Sequence, residues 1–306
     1  MTDAADPSRG GRQGHLAMLA FSALVAGSFS LGAQVANDIA PAALNAVRFV
    51  ISAVAVAAAI GLRGGFGAVP GALVAPWRYG ILGVLFAVYF VTMFEGLKTA
   101  PAVSTAAVFT LTPVMSGIFG YLLLRQMMTA RIWLALALGA AGALWVIFRA
   151  DWRAALALDV GRGEAVYFLG CVAHAIYTPV VRRLNRGEPA VVFSLGMMLA
   201  GGAILTVWGW PAIMATDWAA LPAIVWVTLV YIAVAASAMT FVLLQYATLR
   251  LPSAKVMAYT YLVPSWVILW ELALHRSAPP GLVSVGVAMT AVALLLLIKD
   301  ESRAGA

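Results

Sequence analysis

Ten long stretches without a lysine, arginine, aspartate or glutamate divide this chain: 16–37, 49–62, 79–94, 99–124, 132–148, 165–181, 189–216, 218–249, 256–270 and 277–298. A charge near the bilayer centre costs roughly 2.5–3.5 kcal/mol on insertion scales, and a crossing helix needs about 20 apolar residues. Charge-free runs of this length therefore locate membrane spans, and the chain reads as an all-α integral membrane protein of ten helices. Composition agrees, with 63% apolar residues and 10% charged against about a quarter charged in soluble domains. The stretch 64–77 is also charge-free, but Gly64, Gly65, Gly67, Pro70, Gly71 and Pro76 make it a loop. Residues 1–14 read as a short tail, and no cleavable signal peptide stands out after it.

The same charges exclude several functions. Cys171 is the single cysteine, so neither an intrachain disulfide nor a thiolate metal site is available. The net charge of +7 has no clustered basic arm for nucleic acid, and most basic residues flank apolar runs. With both termini inside, cytoplasmic segments hold 12 of the 19 lysines and arginines, the opposite side holds 5, and Arg48 and Lys255 fall within spans. The positive-inside rule thus places both ends in the cytoplasm. Trp77, Trp152, Trp208, Trp210 and Trp218 stand near window ends, as interfacial anchors do.

An internal repeat is written in prolines. EGLKTAPAVSTAAVFTLTPVMSGIFGYLLLR (95–125) lies over YATLRLPSAKVMAYTYLVPSWVILWELALHR (246–276), pairing Pro101 with Pro252, Pro113 with Pro264 and Arg125 with Arg276, each 151 residues apart. Pro41 pairs with Pro189 at 148. The halves are expected at 15–150 and 151–299, with cytoplasmic tails at 1–14 and 300–306. Five helices per half is an odd number, so the second copy enters the bilayer upside down, giving two inverted five-helix repeats around a central cavity.

On these paired stretches, GLKTAPAVSTAAVFTLTPV and ATLRLPSAKVMAYTYLVPS, and on ALNAVRFV in the second helix, the chain resembles the EamA branch of the drug/metabolite transporter superfamily along nearly its whole length. The resemblance implies a cavity lined mainly by helices 1, 3, 4, 6, 8 and 9, transport of small metabolites in the export direction, and a bacterial inner membrane as its location. One departure stands out. Many relatives have a glutamate shortly after the fourth and ninth helices, where this chain has Gln126 and Ser277.

Polar residues inside spans are the candidates for substrate contact, because the membrane excludes them otherwise. His174 falls in mid-helix 6 and shares a face with Tyr167, Gly170, Tyr177 and Thr178; a structural histidine is the rival reading. Ser22, Ala26, Phe29 and Ser30 form the matching face of helix 1, and Phe86, Tyr89 and Met93 of helix 3 pair by offset with Ser237, Thr240 and Leu244 of helix 8. Tyr259 and Tyr261 of helix 9 point to different faces, so one of them is expected to line the cavity. The substrate-lining set is therefore Ser22, Phe29, Tyr89, His174, Tyr177, Thr240, Tyr259 and Tyr261. Pro113 and Pro264 can kink their helices as hinges, and Arg48 and Glu271 are gating candidates. Arg48 can snorkel to the outer surface or pair with a carbonyl, Glu271 or Glu95, and Lys255 is expected to snorkel. Gly139, Gly142, Gly201 and Gly202 permit close helix packing.

The interior bounds the substrate. It lacks the several cations a polyanion needs and the mid-membrane carboxylate a lipophilic cation exporter uses. A neutral or zwitterionic molecule remains, such as an amino acid, aromatic ones included. With little to titrate beyond His174 and Glu271, uncoupled facilitated diffusion by alternating access is expected; a proton-coupled efflux carrier is the alternative. A passive channel and an integral membrane enzyme are rivals of other classes, but His15, His174 and His275 have no acid partner at close spacing. No cofactor or metal is expected. The partners are the amino-acid substrate and the lipid bilayer, without nucleic acid, and the chain is taken as a monomer.

Overall fold

The computed structural model describes residues 7–62, 67, 74–157, 160–274 and 281–299. His275, Arg276, Ser277, the outer residues of both tails and most of the 64–77 loop lie outside these. The described chain is all-helical, with ten apolar helices: α1 Pro7–Val35, α2 Pro41–Leu62, α3 Trp77–Leu97, α4 Ala102–Leu124, α5 Ala130–Ile147, α6 Arg162–Leu184, α7 Ala190–Ala215, α8 Ala223–Thr248, α9 Ser253–Ala273 and α10 Val283–Lys299. Nine of them are long and apolar enough to cross a bilayer, and α10 is a 17-residue apolar helix. A short helix, Trp152–Ala157, lies between α5 and α6 and gave no signal in the charge pattern.

Proline starts many of these helices, which explains why prolines mark the repeat. Pro41 opens α2, and Pro101, Pro189, Pro222 and Pro252 sit in extended conformation just before α4, α7, α8 and α9. A missing N–H costs nothing at a helix start. Charge windows misjudged two ends. α2 begins at Pro41 rather than near 49, because Arg48 is accommodated within it. α1 begins at Pro7 within the stretch expected as a tail, since a helix extending into water keeps its own backbone bonds.

Three spans are interrupted. α4 breaks between Phe109 and Thr112, with Pro113 in the first turn of its second piece. α9 breaks equivalently, with a 3-10 turn at Tyr259–Leu262 and Pro264 in the first turn beyond. The two breaks meet, the Thr112 and Thr260 hydroxyls lying 3.3 Å apart. In α8 a π-helical segment spans Val234–Met239.

Packing follows a pseudo-two-fold. α2 faces α7, α4 faces α9 and α5 faces α10, while α3 on α6 is matched by α8 on α1, and α3 on α7 by α8 on α2. Glycines bring the axes close. A Cβ on Gly142 would lie 2.6 Å from the Gly286 carbonyl, one on Gly83 would lie 2.7 Å from the Gly201 amide, and one on Gly96 would lie 2.7 Å from the Gly163 carbonyl. We call the end where α1 begins and α10 ends the terminal face, and the other the opposite face.

Candidate functional site

At the centre of the bundle the α3–α6 crossing places side chains from two helical stripes in one space. Phe86, Tyr89, Phe90 and Met93 share one face of α3 at helical spacing. Tyr167, His174 and Tyr177 do so on α6, and all seven are nearly or fully buried. Their rings interlock. His174 lies 4.5 Å from Tyr89, 5.4 Å from Phe86 and 5.3 Å from Phe109 of α4 by ring centroids. Tyr177 stands 4.1 Å from Phe86, and Phe241 of α8 stacks on Phe86 at 4.5 Å. Phe29 of α1 closes the group at 5.9 Å from Phe109 and 6.0 Å from Tyr167. These rings pack against one another between helices of both halves. Clefts lie outside the group, one of about 660 Å³ between α4, α5 and α6, lined by Val108, Trp145, Phe148, Trp152 and Phe168 among others.

Polar atoms in this apolar nest are few, and several lack partners. His174 Nδ1 has no hydrogen-bond partner among the described residues, which costs free energy in a dry site. Tyr167 donates to the Tyr89 hydroxyl at 3.0 Å. Gln245 of α8 donates to the Tyr177 hydroxyl at 2.6 Å, while its own carbonyl oxygen is unsatisfied. Thr178 Oγ1 is buried and unsatisfied too. No described aspartate or glutamate bonds to any member of the group; Glu164, at the start of α6, accepts from Ser104 at 2.7 Å.

The other candidates scatter. Ser22 is buried on α1, bonded to the Leu19 carbonyl and accepting from Trp266 Nε1 at 3.2 Å. Thr240 is buried on α8. Tyr259 is away from the rings, its hydroxyl 2.9 Å from His15 Nδ1. Tyr261 turns the other way, its hydroxyl reaching the Leu136 carbonyl of α5 at 3.4 Å against Gly139. Glu271 is buried near the far end of α9. Glu95 pairs with Lys98 at 2.8 Å on the surface, and Lys255 is half-buried near the start of α9.

Arg48 does not snorkel. It is fully buried, and its guanidinium reaches across to the π-helical segment of α8. Nε donates to Ser237 Oγ at 2.6 Å, Nη2 to the Ala236 carbonyl at 2.9 Å, and Nη1 more weakly to Asn45 Oδ1 at 3.4 Å. Its carbon lies 3.7 Å over the centre of the Phe90 ring. The carbonyl alternative is thus the one realised, and the reason is the π-helical segment, whose irregular backbone frees carbonyls that α2 satisfies. Ser52 does the same for the Ala233 carbonyl at 2.8 Å.

At the terminal face a second arginine was read from the sequence only as a flanking charge. Arg78, at the start of α3, donates to the Leu184 carbonyl at the end of α6 at 2.7 Å and pairs with Glu188 at 2.6 Å. Burial of Glu188 alone would raise its carboxyl, but the Arg78 hydrogen bond and backbone N–H groups outweigh that and hold it below the usual carboxylate range. Phe90, Phe109 and Phe241 were missed as members of the ring group. Helical spacing from Phe86 could have supplied Phe90; the other two needed the three-dimensional packing.

Comparison with known proteins places this architecture. The model of the EamA-like transporter family matches residues 12–148 and again 161–299. A solved structure titled only as a crystal structure of a protein superposes with a TM-score of 0.71 at 19% identity, covering 94% of this chain and 96% of the other, a likeness of fold. A search of curated protein sequences finds no match.

Proposed function

The chain belongs to the EamA-like transporter family, and from that premise we propose that this multi-pass membrane transporter carries amino acids, aromatic ones included, outward across a bacterial inner membrane. The observation that carries the reading is the ring group around His174 in the middle of α6, to which no described carboxylate bonds. Rings accept an apolar or aromatic side chain by stacking, and the unsatisfied His174 nitrogen, Gln245 carbonyl and Thr178 hydroxyl offer a polar end what it needs. Phe29, Tyr89, His174 and Tyr177 form the substrate wall, with Ser22 and Thr240 on the smaller, facing side.

The positive-inside count makes the terminal face cytoplasmic. Transport proceeds by alternating access, with the breaks before Pro113 and Pro264 as the bending points and Tyr259 towards the cytoplasmic opening. Arg48 and Glu271 then belong to the half nearer the periplasm. The repeats run over about 15–150 and 151–299. Export direction and aromatic preference also follow the chain's resemblance to the bacterial exporter YddG. With no described carboxylate bonded to the ring group, the carrier works without coupling in this reading, since proton coupling uses titratable groups at mid-membrane.

Purified protein in liposomes tests this. Saturable, stereoselective uptake of L-phenylalanine with counterflow is expected, without accumulation against its gradient under an inward proton gradient. Accumulation would make the carrier proton-coupled, and non-saturating flux would make it a channel.

A further inference from the structure

A buried guanidinium with only neutral partners is an anomaly in a membrane interior. Arg48 lies seven residues into α2 from Pro41, roughly 10 Å of helix from the opposite face, and is fully buried. Arginines in such places pair with carboxylates or carbonyls, and a buried charge without an opposite charge is costly. Here the acceptors are Ser237 Oγ, the Ala236 carbonyl and Asn45 Oδ1, all neutral. No described carboxylate forms an ion pair with it. A guanidinium has five N–H donors, so two remain beyond these three bonds. An amide side chain could have satisfied the Ala236 carbonyl without the charge.

A second donor lies beside the first. Tyr89 accepts from Tyr167 and makes no other hydrogen bond among the described residues, which leaves its own O–H without an acceptor. The hydroxyls of Tyr89 and Tyr167 are both within electrostatic range of Arg48. Phe90, under the guanidinium, is 4.7 Å from Tyr89 by ring centroids, so the cation borders the ring group directly. One fixed positive charge, spare N–H groups and a spare phenol make a surplus of donors that one small oxyanion would balance. A carboxylate matches the planar fork of an arginine.

We propose that Arg48 and Tyr89 form an anion subsite that takes the single carboxylate of the transported molecule, whose side chain lies among the rings about His174. This rests on the reading of the ring group as the substrate wall and adds a charge requirement to it: the cargo presents one carboxylate, and an amide or amine analogue lacks the group that neutralises Arg48. The alternative is a purely structural clamp, in which Arg48 only fastens α2 to the irregular turn of α8.

The test compares matched acids and amides on purified protein in detergent and in liposomes. Phenylacetate should raise the unfolding temperature at a concentration at least about tenfold lower than phenylacetamide, and L-phenylalanine should compete for uptake about tenfold better than its amide. Arg48→Gln should erase both preferences and Arg48→Lys should restore part of them. Tyr89→Phe, which keeps the ring and is the safer variant for folding, should reduce the preference several-fold. If amide and acid act equally on the wild-type protein, or if folded Arg48→Gln keeps the preference, the subsite is overturned. If no amino acid is transported but the phenylacetate preference is present and Arg48-dependent, the subsite stands and the amino-acid reading falls.

Discussion

The crossing of α3 on α6 and the crossing of α8 on α1 match in the pseudo-two-fold packing, yet their contents differ at several of the paired positions. Between α3 and α6 lie Phe86, Tyr89, Tyr167, His174 and Tyr177. The equivalent positions on α8 and α1 hold Ser237, Thr240, Leu244, Ser22 and Ala26, and keep rings at Phe241, the match of Phe90, and at Phe29, the match of Tyr177. A similar contrast divides α2 from α7. Arg48 reaches into α8, whereas Gly196 at the matching position of α7 leaves room for the Tyr79 ring of α3, which a Cβ would approach to 2.8 Å. The pseudo-symmetry of the helix axes is therefore only partly shared by the side chains. In the proposed site a bound molecule would meet mainly rings on the α3–α6 side and mainly smaller side chains on the α1–α8 side.

The comparison can be broken by mutation, the largest effect expected where backbone touches backbone. Gly163→Ala drives a methyl into Ala100 and the Gly96 carbonyl at the α3–α6 crossing, and should destabilise by about 1–3 kcal/mol. Gly27→Ala at the α1–α8 crossing first meets the end of the Tyr231 side chain, which can swing away at the loss of its 2.8 Å bond to the Leu24 carbonyl, about 1 kcal/mol. Thermal unfolding in detergent ranks the two, and equal losses would mean that the crossings are equally tight. Next, His174→Ala should raise the half-saturating concentration for L-phenylalanine about tenfold, about 1.4 kcal/mol, while Ser22→Ala or Thr240→Ala changes it less than about twofold. Equal effects on both walls would make the site two-sided.

The smallest effect separates the bundle centre from its terminal face. Glu188 has its carboxyl held below the usual range, so its contribution is present above the unfolded pKa and is lost as pH falls through the lower folded value. Glu188→Gln should lower stability by about 1 kcal/mol at neutral pH, as for a charge-assisted bond at a partly wet site. The gap to wild type should close only in acid below the ordinary carboxylate range. Unfolding temperatures of the two proteins across pH would show this, and a gap that closes near neutral pH would assign it to another group.

Much of this was legible in the sequence because the membrane penalises exceptions. Charge-free windows gave ten helices, and prolines gave the repeat because Pro41, Pro101, Pro189 and Pro252 occupy helix starts, where each can be tolerated. Spacing alone put Tyr167, His174 and Tyr177 on one face of α6. It could not say that Tyr261 turns towards α5, since the 3-10 turn at Tyr259–Leu262 changes which way each side chain points. Arg48 was visible as a charge out of place, but its partner was not: the Ala236 carbonyl becomes available only through the π-helical segment of α8, which no residue pattern announces.

That segment has a mechanical consequence. Arg48 and Ser52 of α2 are both bonded to α8 across the middle of the chain, and α3 is similarly locked against α6 by glycines. Pulling the first 150 residues away from the rest would tear polar bonds out of the bilayer interior, where nothing replaces them. The seam along which this molecule parts therefore runs between interleaved helices drawn from both copies, and does not follow the seam in its sequence.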